Sequence, residues 1–445
     1  MCGIIISKKQ IINIEYVNKF CKNRGPDITN NVIINNINFV HNLLHNTGNP
    51  HIQPLTYDNN NYIAIFNGEI YNYKQLCPDA ESDGECIIPM YLKYGNEFIK
   101  WLDGDFCIIL FDFKKNILII SADIFKTKPL FYHISNEELI ISSYLSCCTR
   151  INSQLVYNEI NPNECLIFSL DSNLLIDSYK IYEFDLNQYK TNYNDWTIAF
   201  EEAILKRYPE QSTPLICLSS GMDSGSICCC LKKYNKKFYP ISIPKNENED
   251  VLTNRKKQHD NLIFLNLTDE DKTKWKGYLN ENCEPCSWNW YNQRNGNNWT
   301  VDAFNMGSML GTSHILDYIN KIDNKCRVMM TGIGSDEVMG THSNYDKVNW
   351  GQLDYFPQNL NDKFPWFNFY TGSQSNYIRG QEYIGGCFSF ETRYPYLDKK
   401  VVQEFLWLTP ELKNGKSSED IKPALMNYLT INNYPHKIEK FGFNV

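Results

Sequence analysis

Between residues 180 and 195 the hydrophobic pattern of this sequence changes, and that change limits what the chain can fold into. Before it, apolar residues come in short runs: "CGIIIS", "NFVHNLL", "NYIAIFNGEI", "DFCIILFDF", "NILIISAD" and "ELIISS". Asn, Asp, Gly and Lys divide them, as in strands joined by turns. "FDFKKNILIIS" predicts a hairpin turning at Lys114 to Asn116, and "ECIIPMYLKYG" a helix between strands. After the change, "DWTIAFEEAILKRY", "SHILDYINKI" and "KKVVQEFLWL" carry helical spacing. Among them, "TPLICLSSGMDSGSICCCLKKY" reads as strand, polar turn and helix. "FYPISIP" and "NLIFLNLT" read as strands, and "CRVMMTGIGSDE" as a strand running into a loop. Strands alternating with helices imply a parallel α/β sheet. The expectation is two domains, 2–185 and 190–445, each long enough for its own core.

The bulk numbers exclude several classes. A formal net charge of -8 gives no general attraction to nucleic acid. No apolar run is long enough to span a membrane. The N-terminus lacks the basic-then-apolar pattern of a signal peptide. The 16 cysteines sit in a large chain, where free thiols are expected rather than a disulfide framework. Cys228, Cys229 and Cys230 fall in an apolar stretch and read as small hydrophobes. Cys283-Glu-Pro-Cys286 is a lone CxxC with no second pair for zinc, so it reads as a reduced loop. These features point to a cytoplasmic protein. Runs such as "NNVIINNIN" look compositional.

Cys2 becomes the first residue if Met1 is removed. Its own α-amine, titrating near ~7.7–8.0, can then act as general base for its thiol. Nucleophile and base arrive in one residue. "NRGPD" sets Arg24 at a turn. "FNGEIYNY" sets Asn67 and Gly68 directly after a strand, where an amide and a backbone N–H can hold an oxyanion. "ESDGE" sets Asp83 where a carboxylate can grip an ammonium. Taken singly, each of these sets reads as a turn.

In this order and spacing they resemble the class II glutamine amidotransferase domain of the asparagine synthetase family. The resemblance covers essentially the whole chain. It implies that Cys2 attacks a glutamine side-chain amide, that Asn67 and Gly68 stabilise the oxyanion, and that Arg24, Glu69 and Asp83 bind the amide donor. One position departs from the pattern. The family has an arginine for the donor's α-carboxylate in a His-x-Arg-Leu stretch, and "VHNLLHN" has Leu43 there. No arginine occurs between Arg24 and Arg150. A leucine cannot replace a bidentate guanidinium. The resemblance therefore implies weakened glutamine binding, a rebuilt carboxylate site, or another amide donor.

In the second half, "LSSGMDSGS" follows a strand and opens a helix, a natural anion site. It is similar to the pyrophosphate loop of ATP pyrophosphatases, S-G-G-x-D-S, with Ser220 in place of the first Gly. Leu218, Ser219, Ser220, Gly221, Asp223 and Ser224 are thereby implied to bind ATP. "TGIGSDEVMG" resembles the family's G-x-G-[AS]-D-E loop and adds Gly332 and Gly334. Asp223 and Asp336 are implied as Mg²⁺ ligands, an ion that suits oxygen donors beside phosphates. Ile333 stands where asparagine synthetases usually have glutamate, which suggests a different acceptor. "ETRYPYLDKKVV" matches the E-x-R-x-P-[FY]-L-D element. "KPALMNYL" matches K-x-x-L-R with Met426 for Arg. "EKFGF" makes Lys440 the cation for the acyl-adenylate and pyrophosphate.

The fold these resemblances imply is an α+β N-terminal nucleophile hydrolase domain of layered antiparallel sheets with helices. An α/β parallel-sheet ATP-pyrophosphatase domain follows it. The implied activity is an AMP-forming carbon–nitrogen ligase that moves ammonia from an amide donor to a carboxylic acid, aspartate by default. ATP and Mg²⁺ are its expected cofactors. Glutamine or another amide, ATP and the acid are its expected partners, with a homodimer possible. Two alternatives stay open: a synthetase with a weakened or relic glutaminase domain, and a noncatalytic nucleotide-binding protein.

Overall fold

The computed structural model describes residues 2–291, 298–340, 355–415 and 421–437. They form two compact units. One holds the chain up to Glu183 together with Leu279–Pro285 and Glu382–Glu391. The other holds Phe184–Tyr278, Cys286–Gln381 and the chain from Thr392 on.

The first unit carries β1 (Gly3–Ser7), β2 (Ile28–Ile34), β3 (Ile37–Leu43), β4 (Leu55–Tyr57), β5 (Tyr62–Ile70), β6 (Gly104–Asp112), β7 (Ile117–Ala122), β8 (Phe131–Ile134), β9 (Leu139–Ser142), β10 (Asn158–Glu159), β11 (Glu164–Ser169) and β12 (Leu175–Lys180). They form two six-stranded antiparallel sheets, ordered β10-β8-β9-β1-β3-β2 and β12-β11-β7-β6-β5-β4. Alternation along each strand decides which side chains meet. Ile4, Ile6 and Phe39 of the first sheet pack between the sheets against Ile63, Ile65, Ile109 and Phe111 of the second. The opposite face of the second sheet, with Phe66, Ile108 and Leu110, is covered by helix Ile87–Tyr94 through Ile87, Met90 and Tyr91. Helix Leu145–Ile151 lies on the outer face of the first sheet, Cys148 against Phe131 and Ile140. The layers run helix, sheet, sheet, helix. Each fully buried isoleucine contributes ~1.5–3 kcal/mol to holding them.

The β6–β7 hairpin pairs Asp112 with Ile117 and turns through Asn116 at φ 53°. The asparagine-rich stretch that looked compositional is a second hairpin. Asn35 and Asn36, at φ 51° and 60°, join β2 to β3, and asparagine tolerates that conformation. β2 is the edge strand, which is why it can be so polar.

The second unit is built on a five-stranded sheet. β13 (Leu215–Cys217), β14 (Tyr239–Ser242), β15 (Ile263–Phe264), β18 (Val328–Met330) and β19 (Glu391–Arg393) lie in the order β15-β14-β13-β18-β19. The pairs β13–β14, β13–β18 and β14–β15 are parallel. β16 (Ser287–Tyr291) and β17 (Asn298–Asp302) form a separate hairpin that the sequence pattern did not suggest. Helices Asn194–Lys206, Met222–Lys233, Gly307–Ile322 and Lys399–Trp407 accompany the sheet. Because β13 and β18 are parallel neighbours, the loops leaving their C-terminal ends emerge at the same edge. That edge is where open α/β sheets bind ligands.

Candidate active site

Cys2 and Asn67 are brought together by strand alternation. Cys2 has the parity of Ile4 and Ile6, and Asn67 that of Ile63 and Ile65, so both point into the layer between the sheets. The Cys2 backbone N–H donates to Asn67 Oδ1 at 2.7 Å. That contact decides which end of the amide faces where. It leaves Asn67 Nδ2 buried with no hydrogen-bond partner. A buried orphan donor beside a cysteine is what an oxyanion hole requires before its substrate arrives.

Asn67 and Gly68 lie inside β5 rather than after it. The Phe66 N–H donates to Gln53 Oε1 at 2.7 Å, and the Ile70 N–H to Asp83 Oδ2 at 3.0 Å. By the same alternation the Gly68 N–H turns to this edge, between those two, where β4 no longer runs alongside. Gly68 has φ +137°, and a Cβ there would come 2.0 Å from Asp105 O, so only glycine fits. The edge opens on a pocket that continues to solvent and is lined by Cys2, Leu43, Gly68, Glu69 and Asp83 among others. Burial pushes the Cys2 thiol above its ordinary 9.0. Burial also pushes Asp83 up from 3.8 to about 7, with the nearby Glu391 adding to the rise and the Ile70 and Gly84 N–H groups opposing it.

Arg24 does not line the pocket. It is fully buried, donating from Nε to Cys2 O at 2.9 Å and from Nη2 to Glu382 Oε2 at 3.1 Å. Lys128 Nζ sits 2.8 Å from Glu382 Oε1. Arg24 therefore holds the Cys2 carbonyl from behind rather than facing the pocket. The physical reason is supplied by Glu382, more than 350 positions away in the chain.

In the second unit, helix Met222–Lys233 opens at Gly221 with no side chain capping it, which leaves its first-turn N–H groups available to an anion. The preceding loop is braced from inside. Ser219 N–H donates to Ser224 Oγ at 3.1 Å, and Gly221 N–H to Ser219 Oγ at 3.2 Å. Arg255 holds the Ser219 and Gly221 carbonyls. Ser220 N–H donates to Glu247 Oε2 at 2.7 Å, so this donor faces a carboxylate of the protein itself. Leu218 is fully buried, its N–H on Ile241 O at 2.8 Å, and shapes the loop's base. Gly332 passes close to the loop; a Cβ there would lie 2.7 Å from Asp223 Cβ. Gly334, at φ +97°, turns the chain into the segment carrying Asp336.

Asp223 and Asp336 converge on a residue to which the motifs assigned no role. Lys422 Nζ contacts Asp223 Oδ1 and lies 2.9 Å from Asp336 Oδ1 and 2.9 Å from Ser335 Oγ. It is 4% exposed. Burial alone would lower its pKa, but the two carboxylates hold it above 10.5. The available signal was the "KPALMNYL" element, read for its missing arginine rather than its lysine. Lys440 lies outside the described residues.

Cys2 and Asp83 line one pocket, and Asn67, buried with an unpaired amide donor, touches the first of them, an arrangement suited to amide hydrolysis. In agreement, residues 1–173 match the glutamine amidotransferase domain family. Over nearly its full length the chain is similar to proteins named as glutamine-hydrolysing asparagine synthetases. A Methanocaldococcus jannaschii protein named as one is 23% identical over 94% of this chain and 82% of its own length. That of Brassica oleracea is 21% identical over 94% of this chain and 72% of its own. Among solved structures, the glutamine phosphoribosylpyrophosphate amidotransferase of B. subtilis matches 48% of this chain and 60% of its own, at 14% identity and a TM-score of 0.34.

Proposed function

We propose that the chain is an asparagine synthetase-like ligase, in which the first unit releases ammonia from a primary amide and the second uses it on an activated carboxylic acid. The observation that carries this reading is the Cys2–Asn67 contact, with Asn67 Nδ2 left unpaired beside it. A buried thiol with a raised pKa is protonated at neutral pH, so a base must take its proton as it attacks. With Met1 removed, the Cys2 α-amine is that base. Cys2 Sγ adds to the amide carbon, and the oxyanion receives hydrogen bonds from Asn67 Nδ2 and the Gly68 N–H. The amine returns the proton to the leaving nitrogen, ammonia departs, and water hydrolyses the thioester. Asp83 binds the donor's ammonium.

In the second unit the donor set fits Mg²⁺-ATP. Mg²⁺ is held by one or two carboxylates together with substrate phosphates, and Asp223 and Asp336 are two such groups on neighbouring loops. When bound, the ion would offset phosphate charge. Lys422 supplies a fixed cation at the same place, and the helix opening at Met222 supplies backbone donors. These features suit adenylation of a carboxylic acid with release of pyrophosphate. Aspartate is the default acid, and Ile333 is the residue to exchange for glutamate when other acids are screened.

Cys2→Ala tests the reading. It should abolish amide-dependent synthesis and leave ammonia-dependent synthesis intact, and intact mass should show Met1 removed. Active protein that retains Met1 would sink the N-terminal amine mechanism.

A further inference from the structure

The pocket beside Cys2 is one-sided in charge. Glu69 and Asp83 line it beside His45 and His51, and among the described residues no lysine or arginine does. Several polar side chains on its wall are engaged with the protein itself. Asn46 Nδ2 donates to Glu391 Oε2 at 3.1 Å, and Asn49 Nδ2 to Glu81 Oε2 at 2.9 Å. His45 Nε2 lies 2.8 Å from Gly48 O, and His51 Nδ1 lies 2.8 Å from Glu85 Oε1. Leu43 is 6% exposed and offers apolar contact only.

A free amino acid such as glutamine brings an ammonium and a carboxylate on the same carbon. Asp83 can pair with the first. The second would enter a site already holding two carboxyl side chains, with no lysine or arginine among the described lining residues to meet it. Burying an unpaired charge costs far more than burying a paired one. A donor with the ammonium alone has no such mismatch.

Resting on the amidohydrolase reading above, we propose that this pocket selects primary-amide donors that carry a free amine but no carboxylate beside it. The carboxylate is absent or masked as an amide, as in the N-terminal glutaminyl residue of a peptide. Asp83 anchors the amine, Cys2 takes the side-chain amide, and Leu43 leaves a carboxylate unanswered.

The test is ammonia release by the full chain from four donors: glutamine, glutamine α-methylamide, 4-aminobutanamide and butanamide. The methylamide stands for a peptide terminus and 4-aminobutanamide for a small amine. Wild type should hydrolyse one or both of these with kcat/KM at least tenfold above glutamine, and butanamide more slowly than either. Tenfold is about 1.4 kcal/mol. Leu43→Arg should shift preference toward glutamine by tenfold or more. Asp83→Asn should erase the advantage over butanamide, which keeps the test decisive if Leu43→Arg folds poorly. A glutamine rate within tenfold of both carboxylate-free amines overturns this proposal while leaving the amidohydrolase reading intact. Hydrolysis of none of the four overturns both.

Discussion

At the scale of single residues, Asp83 is the most informative titratable group. Its folded-state value of about 7 lies above the ordinary 3.8 because the carboxyl is buried. An ammonium-bearing donor needs it ionised. KM for such donors should therefore fall as pH rises through about 7, and Asp83→Asn should remove that dependence; initial-rate profiles from pH 6 to 8 check it. Linkage adds a stability consequence with a definite sign. The folded chain holds this proton more tightly than the unfolded chain does. Its contribution to stability therefore falls as pH rises from about 4 to about 7. Asp83→Asn should be relatively more stable than wild type above pH 7 and lose that advantage below pH 4, as read from thermal melts.

At the scale of elements, the second site depends on two loops from neighbouring parallel strands meeting at one edge. The tightest point between them is Gly332 against Asp223, where an added Cβ would stand 2.7 Å from Asp223 Cβ. Backbone and helix start surround that point, so the added methyl has to move Asp223. Gly332→Ala should lower ammonia-dependent ATP turnover tenfold or more by displacing Asp223 from Lys422. Amide hydrolysis in the first unit should be unchanged. Equal loss of both activities would show a general folding defect instead. The elements themselves were largely readable. The β6–β7 hairpin, helix Ile87–Tyr94 and helix Lys399–Trp407 follow from local period alone. β2 was not readable, because an edge strand is not required to be apolar. The β16–β17 hairpin lies outside the expected strands, although Trp288 and Trp290 alternate with polar or small neighbours.

At the scale of the molecule, the first unit is closed by a segment far away in sequence. Glu382 neutralises Arg24 and Lys128, all three buried, and Arg24 in turn holds the Cys2 carbonyl. Glu382→Ala leaves two buried cations without their anion, which costs about 3–5 kcal/mol. The expected result is a lower Tm and faster amide exchange through Gly3–Ser7, with amide hydrolysis reduced in parallel. Glu382→Gln should fall between wild type and Ala. An unchanged melt for Glu382→Ala would mean that the triad contributes nothing to the unit.

Sequence alone determined the two kinds of sheet, because hydrophobic period and the spacing of turn residues are local properties. It placed Asn67 and Gly68 at the end of a strand, and only the structure set them inside β5 with Asn67 facing Cys2. Only the tertiary structure decided what those residues meet. Arg24 stood in a motif that suggested substrate contact, yet its partner is Glu382. Lys422 stood in a motif noted for a missing arginine, yet it bridges Asp223 and Asp336, the former 199 positions away. An ion pair forms wherever chain topology places opposite charges in a common low-dielectric space, and no local period encodes that meeting. The charge of the donor pocket has the same origin: it is a sum over walls contributed by separate loops, set when the sheets close over one another.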